Sequence, residues 1–215
     1  MGFSVPMALF DLVPVALYLV SAVIFQRDFY SRMNKGCYAV FCAGTVMVIV
    51  GGLFKVSYKL LYAFGICDFP MLSDCFMPFQ ATGFTLTAIA VIGYVLGKGK
   101  EKKQGTETVM ATAAPVLISA KTPKLITSKM LFVVFMVLGL VAAHIGYMII
   151  ALRNKRKTSA VLFLISMIME LGMGYLSTRD FTKASMNWIG EIVNFFGMLF
   201  LLMGTLDLHR NAFGD

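Results

Sequence analysis

Six long runs of apolar residues, separated by short polar and charged stretches, dominate the chain, and none shows the two-residue alternation of a membrane β-barrel strand. The runs extend over about Ser4 to Gln26, Tyr38 to Ser57 with a helical extension, Phe76 to Gly97, Met130 to Leu152, Ser159 to Thr178, and Met186 to Leu208. A hydrocarbon core about 30 Å thick needs about 20 apolar residues in a helix. Backbone polar groups in lipid must also be paired internally, which a helix achieves within its own segment. The pattern therefore predicts an all-α fold, a polytopic transmembrane helical bundle of about six helices.

Composition agrees with this class. Hydrophobic residues make up 59% of the chain and charged residues 14%, against about 25% charged in a soluble domain. The net charge of +8 does not indicate nucleic acid, because the bases stand in clusters between apolar runs, as in cytoplasmic loops. The expected surroundings are the lipid bilayer, with no nucleic-acid partner. The first run has no Lys or Arg before Gln26 and contains Asp11, so it is expected to stay as a spanning helix and not to be removed as a signal peptide. Pro6 stands where a myristoylation signal needs Ser or Thr.

Loop charge sets the expected orientation. "RDFYSRMNKG" carries Arg27, Arg32 and Lys35, whereas "CDFPMLSDC" carries two aspartates and no base. The first loop is then inside and the second outside, giving a multi-pass protein of the cell membrane with its N-terminus outside. Residues 1–97 form a first three-helix half, 98–129 a basic linker expected in the cytoplasm, and 130–215 a second three-helix half. "RNKRK", Arg153 to Lys157, fits poorly, since strict alternation of six helices leaves it outside. A seventh crossing through Thr108 to Ala120 would return it inside, but that stretch makes a helix of only about 20 Å and holds Pro115, so length favours six. The halves share a layout, and "GGLF" at Gly51 has an approximate counterpart in "GMGY" at Gly172. This suggests a 3+3 internal repeat, inverted with six crossings and parallel with seven.

Ionisable residues within such runs cost about 2.5 to 3.5 kcal/mol at the bilayer centre and mark functional sites. Lys55 lies roughly 26 Å along the second run and Asp11 roughly 9 Å down the first, so the two are level and predict a charge pair in the outer leaflet. Lys59 is expected at or beyond the boundary, where it can snorkel. Glu170, near the middle of the fifth run, cannot snorkel: it is either a neutral acid or faces a wet cavity or a cation, and is the candidate proton or cation site. In the sixth run Asn187, Glu191, Asn194 and Met198 share one helical face beside Gly190, Gly197 and Gly204. That polar face is expected to line a path, with Gln80 and Thr87 as milder counterparts in the third run. His144 reads as a satisfied interior histidine, and Cys67 and Cys75 flank the outer loop at a separation that allows a disulfide.

No hydrolase, metalloprotease or phosphate-loop motif occurs in the chain. No metal site and no cofactor are expected. The function best matched by buried carboxylates and polar helix faces is a small secondary transporter or channel-like protein moving a small solute or ion. The alternatives are a membrane-embedded enzyme acting on a lipid or isoprenoid, with Glu170, Glu191 and His144 as acid-base groups, and a non-catalytic accessory subunit. A homo-oligomer is compatible with any of these.

Overall fold

The computed structural model describes residues 5–67, 69–97, 125–176 and 184–214. These residues are helical, with no strand among them. α1 (Val5–Phe10) and α2 (Leu12–Tyr30) form the first span, followed by α3 (Lys35–Ala63), α4 (Pro70–Gly97), α5 (Leu125–Arg153), α6 (Lys157–Leu176) and α7 (Ala184–Leu208), with a π-helical turn at His209–Phe213. Six helices are long and apolar enough to cross a membrane, the mark of a multi-pass membrane protein. Their outward faces carry exposed apolar side chains such as Val23, Leu138, Val161 and Ile168, a surface that water would not tolerate over such an area.

Local chemistry explains the ends of these helices. α3 starts where the Asn34 side chain accepts the Cys37 N–H at 2.7 Å, capping a free donor. It stops where Gly65 takes φ +65°, a left-handed conformation that glycine adopts without a Cβ clash. Between them run 29 residues, about 43 Å of helix, so α3 outruns the hydrocarbon core. The first span is interrupted at Asp11 because Pro14 has no N–H to give the Phe10 carbonyl.

Each helix packs on the next, and α2 packs on α7, so the six spans close into a ring. Glycines identify which turns meet. Gly52 lies against Val15 on α2, while Gly44 faces Thr87 and Gly51 faces Gln80 on α4. α3 therefore runs antiparallel to both neighbours. Gly139 lies against Phe84 and Gly146 against Val91, and Arg153 Nη1 donates to the Val95 carbonyl at 2.7 Å. Residue numbers rise together along both helices, so α4 and α5 are parallel.

This direction bears on the expected topology. Residues 98–124 lie outside the described set, yet they join the C-terminal end of α4 to the N-terminal end of α5, which are at opposite ends of the ring. Six spanning helices are present among the described residues, as the apolar runs predict; Thr108 to Ala120, weighed above as a seventh crossing, lies outside the described residues.

The two ends of the ring differ. At the end where the chain terminates, aromatic side chains fill the middle: Phe25 stacks on Tyr147 at 4.5 Å and on Phe29 at 5.3 Å, beside fully buried Phe41 and Phe163. We call this the His209 end. At the other, the Asp11 end, the interior is open.

Candidate functional site

A cavity of about 720 Å³ occupies the Asp11 half of the ring, and all six spans contribute to its wall. Exposed Ser73 and Asp74 stand at its rim, and Tyr18, Phe84, Leu140, Met198 and Glu170 form its floor above the aromatic plug. The wall is mainly apolar, with Asn187, Glu191, Asn194 and Gln80 among its few polar members. The shared face anticipated on the last helix, Asn187 through Met198, thus points inward. Thr87 does not belong to this wall. It is buried below the floor, its hydroxyl donating to the Gly83 carbonyl at 2.9 Å; it shares a face with Gln80, but the cavity ends at Phe84, a turn short of it.

Near the mouth, four charges form one network. Lys55 Nζ lies 3.2 Å from Asp11 Oδ1 and 3.1 Å from Glu191 Oε1. Lys59 Nζ lies 2.6 Å from Asp11 Oδ2 and 2.7 Å from the same Glu191 Oε1. Lysines four apart share a face of α3, and Gly52 lets that face approach α2, since a Cβ there would meet the Val15 side chain at 2.9 Å. Asp11 reaches the lysines from the α1–α2 junction and Glu191 from α7. Two ammonium groups against two carboxylates make the network neutral when all are ionised.

Lys59 is the correction here. Expected at the outer boundary, it is the more buried lysine, its side chain 7% exposed against 26% for Lys55. Counting depth from Tyr38 assumed that the protein thins out where the bilayer does. α3 instead continues to Ala63 inside the ring, so Lys59 finds partners within the protein before it can reach headgroups.

Glu170 lies on the floor and is 8% exposed. Gly197 on α7 lets the two helices close around it, a Cβ there standing 3.2 Å from Glu170 Cγ. Among the described residues its polar neighbours are Ser166 Oγ at 3.5 Å and His144 Nε2 at 3.9 Å, with no lysine or arginine in ion-pair range. His144 was read as a satisfied interior residue, and its Nδ1 indeed meets the Leu140 carbonyl at 2.9 Å. Its other nitrogen, however, faces Ser166 Oγ at 3.2 Å and the Glu170 carboxyl. This partnership crosses from α5 to α6 and has no spacing signal in the chain; one histidine in the fourth run and one carboxylic acid in the fifth were the available hint.

The remaining features lie elsewhere. Cys67 and Cys75 are free thiols: α4 begins at Pro70, which carries Cys75 into a helical turn and leaves Cys67 in the exposed turn before it. At the His209 end, His209 Nδ1 meets Asp28 Oδ1 at 2.8 Å, and Arg156 pairs with Asp207 at 2.6 Å. Both pairs tie helix ends together, remote from the cavity. No protein-family model matches the chain, and no curated protein or solved structure matches it.

Proposed function

We propose that the protein is a small secondary transporter that moves a small solute or ion in exchange with, or together with, protons, and that Glu170 is the proton or cation site. One observation carries the reading: a cavity walled by every span and closed at one end holds on its floor a buried carboxyl with no lysine or arginine in ion-pair range among the described residues. Such a group is expensive unless it is neutral or compensated, and a site that must be filled by a proton or a cation is what coupling requires. Asn187, Glu191, Asn194 and Gln80 line the path. Asp11, Glu191, Lys55 and Lys59 act as an outer latch whose ion pairs exchange partners as the mouth opens and closes.

The helix directions support one orientation. With α4 and α5 parallel, Arg27, Arg32, Lys35, Arg153, Lys155, Arg156, Lys157 and Arg210 gather at the His209 end. The positive-inside bias then puts that end in the cytoplasm, the N-terminus outside and the cavity open to the exterior of the cell membrane. Both helix triplets then run out-in, in-out, out-in, the layout of a parallel 3+3 repeat.

The enzyme alternative draws support from the Glu170–His144 pair, but Glu191 does not join them. It is bound to the lysines, six residues before Gly197 on α7 and so about 9 Å nearer the mouth. An accessory subunit has no evident use for an interior void of this size. The test uses vesicles containing the protein and a trapped pH dye, challenged with a panel of small solutes. A solute-dependent pH change that disappears in Glu170→Gln supports transport coupled at Glu170. Solute flux unchanged by that substitution would sink it.

A further inference from the structure

The charges of the cavity do not balance around Glu170. Asp11 and Glu191 are matched by Lys55 and Lys59 at 2.6–3.2 Å, so neither lysine is left to hold an anion. Glu170, deeper in, has Ser166 and His144 as its contacts in hydrogen-bond or ion-pair range among the described residues, with Tyr18 on α2 and Tyr147 on α5 within electrostatic reach. The hydrogens in this cluster can be assigned from chemistry. A carbonyl only accepts, so His144 Nδ1 must carry the hydrogen that meets the Leu140 carbonyl. For the same reason the single Ser166 hydroxyl hydrogen goes to the Gly197 carbonyl at 2.8 Å, its shortest contact. Three sets of lone pairs then converge: His144 Nε2, Ser166 Oγ and Glu170 Oε1. One more positive charge is needed to hold them together.

Two kinds of occupant can supply it. A proton can sit on Glu170 or on His144 Nε2, in either case donating to Ser166 Oγ. Alternatively a cation can approach Glu170 from the cavity. An uncompensated buried carboxylate costs several kcal/mol, so the empty site is excluded, and one occupant displaces the other.

The rest of the cavity describes that cation. Its wall is dominated by Phe, Met, Val and Leu side chains, its volume of about 720 Å³ is that of pockets holding drug-sized molecules, and the rings of Tyr18 and Phe84 meet edge to face at 6.3 Å on the floor. Aromatic faces attract cations electrostatically, while Asn187, Asn194 and Gln80 supply neutral hydrogen-bonding groups. We propose that the cavity binds an organic cation, one positive charge on an apolar body, whose charge replaces the proton held by the Glu170–Ser166–His144 cluster. In the exchange the Glu170 O–H bond, or the His144 Nε2–H bond where the proton sits there, breaks; the proton leaves through the mouth, and the carboxylate pairs with the ligand. The proposal rests on the reading of this cavity as the solute site.

Tetraphenylphosphonium and tetraphenylborate test it, since they share a shape and differ in the sign of their charge. Each is titrated into purified full-length protein in detergent, with calorimetry and a pH dye in weak buffer. The phosphonium is expected to bind and release about one proton per ligand, and its affinity to rise roughly tenfold per pH unit while the site is protonated. The borate is expected to bind roughly tenfold more weakly or worse. Glu170→Gln should abolish proton release; His144→Gln should keep phosphonium binding but move the pH profile of release. Borate binding as tightly as the phosphonium, or phosphonium binding that is independent of pH in the wild-type protein, would overturn the proposal without relying on any variant folding. No phosphonium binding, with Glu170-dependent flux still seen in vesicles, removes the organic cation and leaves transport standing. Binding with proton release and no flux supports the cation site and removes transport.

Discussion

At the scale of single residues, the two lysines of α3 carry different burdens. Lys59 touches both carboxylates at 2.6 and 2.7 Å from a side chain 7% exposed, so Lys59→Met leaves Asp11 and Glu191 facing one ammonium in a dry setting. Removing one member of a buried pair costs about 3 kcal/mol or more. Lys55→Met, at 3.1 and 3.2 Å and 26% exposed, should cost about 1 kcal/mol, because water screens that side of the network. Lys59→Met combined with Asp11→Asn restores charge balance and should recover about half of the single variant's loss. Thermal unfolding in detergent reads all three; equal effects of the two lysine variants would show that the burial difference has no energetic weight. The closeness of Asp11 and Lys55 could be read from depth alone, since consecutive helices of known entry side fix two levels. Lys59 could not, because depth says nothing about which way a side chain turns. His144 beside Glu170 was equally hidden: it depends on how α5 and α6 rotate against each other, which two featureless apolar runs do not encode visibly.

At the scale of helices, existence and type were plain in the apolar runs, whereas ends and contacts depended on small residues. α4 begins at Pro70 and not Phe76, and α5 at Leu125 and not Met130, because a helix pairs its backbone groups internally and can continue past the apolar run. Glycine does more for packing than its repeat on the last helix suggested. A Cβ on Gly44 would meet the Thr87 backbone nitrogen at 2.7 Å and the Gly83 carbonyl at 2.8 Å, so α3 and α4 touch backbone to backbone. Gly44→Ala forces these helices apart and should destabilise the protein by about 1 to 3 kcal/mol. Gly172→Ala is the control, since its Cβ would meet only the Val193 side chain at an ordinary 3.9 Å, and Ala favours helix over Gly. It should leave the melting temperature unchanged or raise it. A loss in both variants would mean that glycine serves helix flexibility here and not close approach.

At the scale of the whole molecule, the direction of α5 decides what the protein presents to each side of the membrane. Loop charges alone left a conflict, since "RDFYSRMNKG" and "RNKRK" could not both be inside while six helices alternated. The parallel packing of α4 and α5 bears on it: the loop holding Arg32 and the loop holding Lys155 lie at the same end, with the C-terminal turn. The native cysteines provide internal references, Cys67 in the exposed turn at the Asp11 end and Cys37 in the first turn of α3 at the opposite end. In an otherwise cysteine-free protein, a thiol at position 121, shortly before α5, is expected to react with an impermeant maleimide from the same side as Cys67. A thiol at position 155 is expected to react only from the side of Cys37. Strict alternation of six crossings requires the reverse at both positions, and labelling in that pattern would place α5 antiparallel to α4. The glycine contacts that align Gly139 with Phe84 and Gly146 with Val91 could not then exist. The cavity would lose its α5 wall, and His144 its place beside Glu170.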